Sequence, residues 1–227
     1  MNKHLINLLI IPTTALFSQN NWDNYKVSIL SQFKTLSYWS PPQKVGLIMD
    51  YVALAKPQLC VEIGSFQGAI SFAIGNTLAF NQKGILHTID KWQYTPDESK
   101  KSEYNQFANF WYAIDTDGDL LYLDFLARHF QGNLRNYIHP LRIESLKAVK
   151  LFSDDSIDML FLDGDFSQEY ALNELIQYFP KVKKGGGIWL NRADLESKHL
   201  LVKYLMETCQ HQNSWSYGIE CVLFTKK

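Results

Sequence analysis

The chain sorts into short continuous apolar runs and longer stretches in which apolar residues recur every three or four positions. The second pattern predicts amphipathic helices. Residues 25–38 carry Val27, Leu30, Phe33 and Leu36 near helical spacing. A second helix follows Ser40-Pro41-Pro42, with Ser40 as its expected cap and proline in its first turn. It runs through Val45, Ile48, Met49, Val52 and Leu54 and stops at Lys56-Pro57. From there the two patterns alternate. Strands are expected at 59–63, 84–89, 137–143, 157–162 and 187–190, and helices at 69–80, 120–130, 146–151, 170–179 and 198–210. Residues 215–225 read as strand again, either two strands or one bent one; 20–24 read as a polar linker, and 91–119 as a polar and aromatic insertion. Strands alternating with helices predict an α/β fold: a Rossmann-like, doubly wound, mostly parallel sheet with helices on both faces and right-handed crossovers. Ligands of such sheets bind beyond the carboxyl ends of the strands, so the residues just after each strand are the ones to examine.

Composition narrows the picture. A length of 227 residues suits one domain, here 25–227, with an N-terminal arm at 1–24. Hydrophobic residues make up 46% and charged residues 20%, enough apolar surface for a sizeable core. The net charge of -1 and the absence of a long basic run exclude a nucleic-acid backbone as the main partner. Cys60, Cys209 and Cys221 lie far apart without a C-x-x-C pair, which excludes a zinc knuckle or a disulfide framework. Lys3 and His4 precede an apolar stretch at 5–17, about the length of a signal-peptide core and too short to span a bilayer. The thin positive charge and the poor cleavage sequence Leu16-Phe17-Ser18 favour an arm packed on a cytoplasmic domain; export through a signal peptide is the alternative.

Three strand ends carry candidate chemistry. Cys60-Val61-Glu62-Ile63-Gly64-Ser65-Phe66-Gln67-Gly68 is a strand, a glycine turn and a helix start. Gly64 would let the backbone approach a ligand, and the following helix would offer free N–H groups; a purely structural turn is the competing reading. The spacing differs from the G-x-G-x-x-G fingerprint, which counts against a nicotinamide dinucleotide. Asp90 ends the next strand, where a carboxylate can accept the hydroxyls of a ribose or cap the following loop. Taken with the glycine turn, the ribose role is preferred. The run 157–162 then delivers Asp163 and Asp165, which could orient a substrate, hold a cation or act as a base; an Asp-Gly turn with Asp165 capping the next helix is the alternative.

These motifs, with Trp39-Ser40, Lys56-Pro57, Ile89-Asp90-Lys91-Trp92, Arg142-Ile143-Glu144-Ser145 and Gly185-Gly186-Gly187-Ile188-Trp189, resemble the class I S-adenosylmethionine-dependent methyltransferases. The bacterial group distantly similar to catechol-type O-methyltransferases is the nearest in pattern, over about residues 39 to 210. The resemblance implies S-adenosylmethionine as cofactor and a small-molecule or peptide-like methyl acceptor. It implies that Glu62, Gly64, Ser65, Phe66 and Gly68 surround the methionine part, that Asp90 holds the ribose with Lys91 and Trp92 beside it, and that Glu144 and Ser145 face the adenine. Asp163 would stand between the methionine end and the acceptor, with Asp163 or Asp165 as the catalytic carboxylate.

Two departures qualify that picture. Relatives often carry histidine where this chain has Phe166, and one or two aspartates, or aspartate then asparagine, where it has Asn191-Arg192. A divalent cation wants several oxygen ligands, preferably carboxylates, so no bound metal is expected. The missing histidine removes an obvious base and opens a second reading, a decayed relative that binds the cofactor in a regulatory role. The insertion holds Tyr94, Tyr104, Phe107, Phe110, Trp111 and Tyr112, either a lid over an apolar acceptor or, through Phe107, Trp111 and Ile114, a packed helix face. The histidines show no metal-ligand spacing, and a homodimer is neither required nor excluded.

Overall fold

The apolar runs become strands because side chains on alternate positions have a helical layer to pack against on each face. The computed structural model describes residues 13–33, 40–93, 118–164, 167–216 and 220–227. The strands are β1 (Leu59–Ile63), β2 (Ile85–Asp90), β3 (Ile138–Arg142), β4 (Ile157–Leu162), β5 (Val182–Asn191), β6 (Cys209–Ser216) and β7 (Glu220–Lys226). They form one sheet of order β3-β2-β1-β4-β5-β7-β6. The first five are mutually parallel, and β7 runs antiparallel to both β5 and β6.

The helices are α1 (Thr13–Gln32), α2 (Pro42–Ala55), α3 (Ala69–Asn81), α4 (Gly118–Gln131), α5 (Ser145–Ala148), α6 (Gln168–Tyr178) and α7 (His199–Thr208). Period-two alternation divides the core between them. Cys60, Met159, Phe161 and Trp189 join residues of α1 to α4 on one face. Val61, Ile63, Leu160, Leu162, Ile188 and Leu190 join residues of α5 to α7 on the other. This is the doubly wound arrangement. Strand order reverses between β1 and β4, and such a switch point opens a crevice at the carboxyl ends of the strands.

Several boundaries differ from expectation. Residues 20–24 are no linker, since α1 passes through them unbroken. Asn21, Asp23 and Asn24 face solvent, while Trp22 is buried and donates from Nε1 to Asp50 on α2 at 2.8 Å. Ser40 is not the cap of α2. Pro42 holds the preceding residue extended, so Pro41, at φ -59 and ψ 142, becomes the cap and Pro42 begins the helix. The helix α7 stops before 209, where the polar edge strand β6 begins; β6 and β7 together form a hairpin. Residues 94–117, which hold most of the aromatic insertion, lie outside the described residues, as do Asp165 and Phe166. Among the described residues, no helix is long and apolar enough to cross a membrane.

Candidate functional site

The tips of β1 and β4 meet at the switch point. The Gly64 amide donates to the carbonyl of Ile89, and the Asp163 amide donates to the carbonyl of Ile63, each at 2.9 Å. Gly64 has φ +86, and a Cβ there would lie 2.6 Å from the Asp163 carbonyl oxygen and 2.7 Å from the Gly164 nitrogen. The glycine is required by a neighbouring strand end, which is the structural reading that the sequence left open beside approach of a ligand. At Gly68, φ +84, a Cβ would meet the Phe125 ring of α4 at 2.6 Å. The helix α3 then begins without a side-chain cap, leaving its first N–H groups as an anion-attracting end beside the turn. Gly64, Phe66, Asp163 and Gly164 are half-buried at the junction.

Asp90 closes β2 and is 7% exposed. Its Oδ2 accepts from the Phe66 amide at 2.9 Å and its Oδ1 from the Trp92 amide at 2.7 Å. The Trp92 indole returns the connection by donating to the Phe66 carbonyl at 2.8 Å. Both residues sit in the left-handed region, Phe66 at φ 48 and Trp92 at φ 47. The carboxylate therefore holds two strained loops together, which is the capping role. A carboxylate offers about four acceptor sites, so accepting from two amides does not by itself conflict with the ribose role. The Trp92 ring is fully buried against Tyr122 and Phe125, and supports the loop from below. Lys91 is exposed, and its carbonyl accepts from Arg142, which also pairs with Asp119 at 2.5 Å.

Glu62 lies on the α3 face of β1 at 1% exposure. Burial pushes its carboxyl up to about 8, against hydrogen bonds from Ser71, Thr88 and Ser65 that favour the charged form. Ser65 is itself buried and hydrogen-bonded to Thr88. At the adenine end the two expected residues part. Glu144 is exposed and paired with Lys147 at 2.8 Å, which lowers its pKa. Ser145 is buried, donates to Glu174 and accepts at its carbonyl from the Tyr178 hydroxyl at 2.8 Å, so it anchors α5 on α6.

The other side of the junction holds Asn191, which the sequence singles out, and two lysines, Lys44 and Lys198, which it does not. Asn191, the last residue of β5, donates from Nδ2 to Asp163 Oδ1 at 2.7 Å. Its Oδ1 accepts from the Lys44 ammonium at 3.0 Å, and this donor fixes which way the amide points. Lys44 and Lys198 are 1% and 2% exposed. Burial raises the Asp163 pKa, and the opposing influences are Lys44, the Asn191 hydrogen bond, Lys198 and Arg192. A signal did exist. Lys44 shares a helical stripe with Ile48 and Val52, Lys198 one with Leu201 and Leu205, and Glu174 one with Ala171, Leu175 and Tyr178. A charged residue on a buried stripe marks a site or a satisfied core polar group. Among the described residues, no group of three or more His, Cys, Asp or Glu side chains could hold a metal ion.

The geometry agrees with the comparisons. A putative O-methyltransferase from Klebsiella pneumoniae superposes with a TM-score of 0.60 at 9% identity, over 91% of this chain and 90% of that one. The O-methyltransferase TomG from Streptomyces achromogenes, solved with SAM, gives 0.59 at 10%, over 98% and 100%. An O-methyltransferase from Bacillus cereus in complex with SAH gives 0.55 at 10%, over 97% and 94%. At such identities the likeness establishes the fold. No curated protein matches the sequence. A family model described as a methyltransferase domain matches residues 61–191. Since that match spans more than half of the chain and contains all three central strand tips, the chain belongs to the methyltransferase-domain family.

Proposed function

We propose that this protein transfers a methyl group from S-adenosylmethionine to a small-molecule acceptor, without a divalent metal ion. The observation that carries the reading is the convergence of Gly64, Asp90 and Asp163 at one switch point, in a chain of this family. The residues present fit the cofactor. The uncapped start of α3 suits its carboxylate, Asp90 its ribose hydroxyls, and Asp163 its ammonium. When bound, the cofactor supplies an electrophilic methyl group on a sulfonium. The chain contributes placement: loop 64–68 is clamped by Asp90 and Trp92, and fixed geometry of this kind lowers a barrier by removing orientational freedom. Metal independence is supported by Asn191, whose amide approaches Asp163 as a hydrogen-bond donor.

Titration of the purified protein with S-adenosylhomocysteine is expected to show binding that survives EDTA, and Asp90→Ala should weaken it severely. Absence of binding by the unmutated protein would sink the proposal. Phe166 and Arg192 keep a binding-only role in view. A methyl-release assay against mixed small-molecule acceptors separates it from the enzyme.

A further inference from the structure

We propose that Lys44 is a positioning residue for the cofactor, an inference that rests on the cofactor reading above. Acting through the Asn191 amide, it presents the Asp163 carboxylate to the ammonium of the cofactor's amino acid end. Two hydrogen bonds run in a fixed sense. Lys44 Nζ donates to Asn191 Oδ1 at 3.0 Å, and Asn191 Nδ2 donates to Asp163 Oδ1 at 2.7 Å. A lysine ammonium has three donors and no acceptor, whereas a side-chain amide has one end of each kind. Lys44 can therefore face only the oxygen of Asn191, and the NH₂ group is left to face Asp163. With the amide reversed, its oxygen would meet a carboxylate oxygen. Only a protonated Asp163 would make that contact favourable, and a protonated Asp163 has no charge to offer an ammonium. In the observed sense Oδ1 is held by the amide, and among the described residues Oδ2 accepts no hydrogen bond.

The setting of Lys44 favours this role over simple packing. Lys44 is 1% exposed and Asn191 2%. The lysine shares the buried stripe of α2 with Ile48 and Val52, where an apolar side chain would join helix to sheet without desolvating a charge. What the ammonium adds at this place is a direction for the amide at the tip of β5. Its partner lies 147 positions away, and α2 lies outside the residues that the family model matches. Lys44 thus ties the N-terminal helices to the switch point. The adenosine end has separate support, because Asp90 and Trp92 clamp loop 64–68 on the other side of β1. A loss of Lys44 is therefore felt by ligands that carry the amino acid end and not by those that lack it.

The full-length protein is titrated with S-adenosylhomocysteine and, separately, with methylthioadenosine, which keeps the adenosine and the thioether but lacks the amino acid end. Lys44→Met is expected to weaken S-adenosylhomocysteine about tenfold to a hundredfold, the scale of a hydrogen bond to a charged group. Methylthioadenosine affinity should change little. Lys44→Arg, whose head group also donates and never accepts, should recover most of the lost affinity. Should thermal unfolding show that Lys44→Met does not fold, the unmutated protein carrying nitrogen-labelled asparagine takes its place. The side-chain amide resonance of Asn191 should then shift with S-adenosylhomocysteine and stay unmoved by methylthioadenosine. Equal weakening of both ligands, or undiminished S-adenosylhomocysteine binding by Lys44→Met, overturns the proposal. So does an Asn191 resonance that responds to both ligands alike. If S-adenosylhomocysteine does not bind the unmutated protein, the cofactor reading is what fails.

Discussion

Asn191 meets Asp163 across 2.7 Å as a donor facing an acceptor, with the Lys44 ammonium behind it at 3.0 Å. One neutral amide thus links a buried cation on α2 to a carboxylate on β4 and holds three elements in register at the switch point. Asn191→Leu keeps the approximate volume and removes both hydrogen bonds. Each involves a charged partner, so a loss of about 3 kcal/mol is expected. Urea unfolding should show a lower midpoint at unchanged slope; a midpoint equal to that of the unmutated protein would show the link to be energetically idle.

How far this arrangement was legible in the sequence depends on which face of each element carried the information. β4 was bounded correctly at 157–162 because it is buried on both sides and reads as an uninterrupted apolar run. The same logic placed Gly64, Asp90 and Asp163 at strand tips. Lys44 escaped because a lysine beside Ile48 and Val52 is ordinarily a solvated residue, and its partner lies 147 positions away. Residues 20–24 were misread since their polar side chains face solvent and a single inward Trp22 carries the packing. The start of β6 was missed for a similar reason: residues 210–214 of this edge strand are exposed, so no alternation marks them.

Gly64 and Gly185 share a positive φ, at 86 and 79, but not their surroundings. A Cβ at Gly185 meets nothing within 4 Å, whereas at Gly64 it runs into the Asp163–Gly164 peptide. Gly185→Ala should therefore cost the backbone strain alone, about 1–2 kcal/mol. Gly64→Ala adds a backbone clash and should cost about 1–3 kcal/mol more. It should also weaken S-adenosylhomocysteine binding, because β1 and β4 must part to admit the methyl group. Denaturation midpoints and binding isotherms of the two variants check the contrast. Equal effects would show that strain, and not strand-tip crowding, explains Gly64.

Glu62 gives stability a definite pH dependence. Its folded pKa of about 8 lies above the ordinary 4.5, so the native state holds a proton that the unfolded chain has released between those values. The associated stability is fully present below about 4.5 and is lost as pH rises toward 8 and beyond. Glu62→Gln keeps a neutral hydrogen-bonding side chain and removes the titration. The variant should lose less stability between pH 6 and pH 9, with a difference on the order of a few kcal/mol. Parallel stability–pH curves for the two proteins would show that Glu62 is ionised in the native state.

His129 works in the opposite direction. It is 4% exposed, stacks on Phe130 and lies near Phe125, and neither ring nitrogen makes a hydrogen bond of ordinary geometry. Burial lowers its pKa below the ordinary 6.5, assisted by His139 and Arg135 and opposed by the Leu134 backbone. The unfolded chain then binds a proton that the native state resists, so stability falls as pH drops through 6.5 toward the folded value. His129→Phe replaces an unsatisfied polar ring with an apolar one of similar shape. At pH 7.5 it should stabilise by about 1 kcal/mol, the cost of a buried polar group without a partner. At pH 5.5 the gain should be larger, because the proton-linked penalty is gone as well. Thermal melts at both pH values measure it, and a gain that shrinks on acidification would mean that His129 is charged and stabilising in the fold.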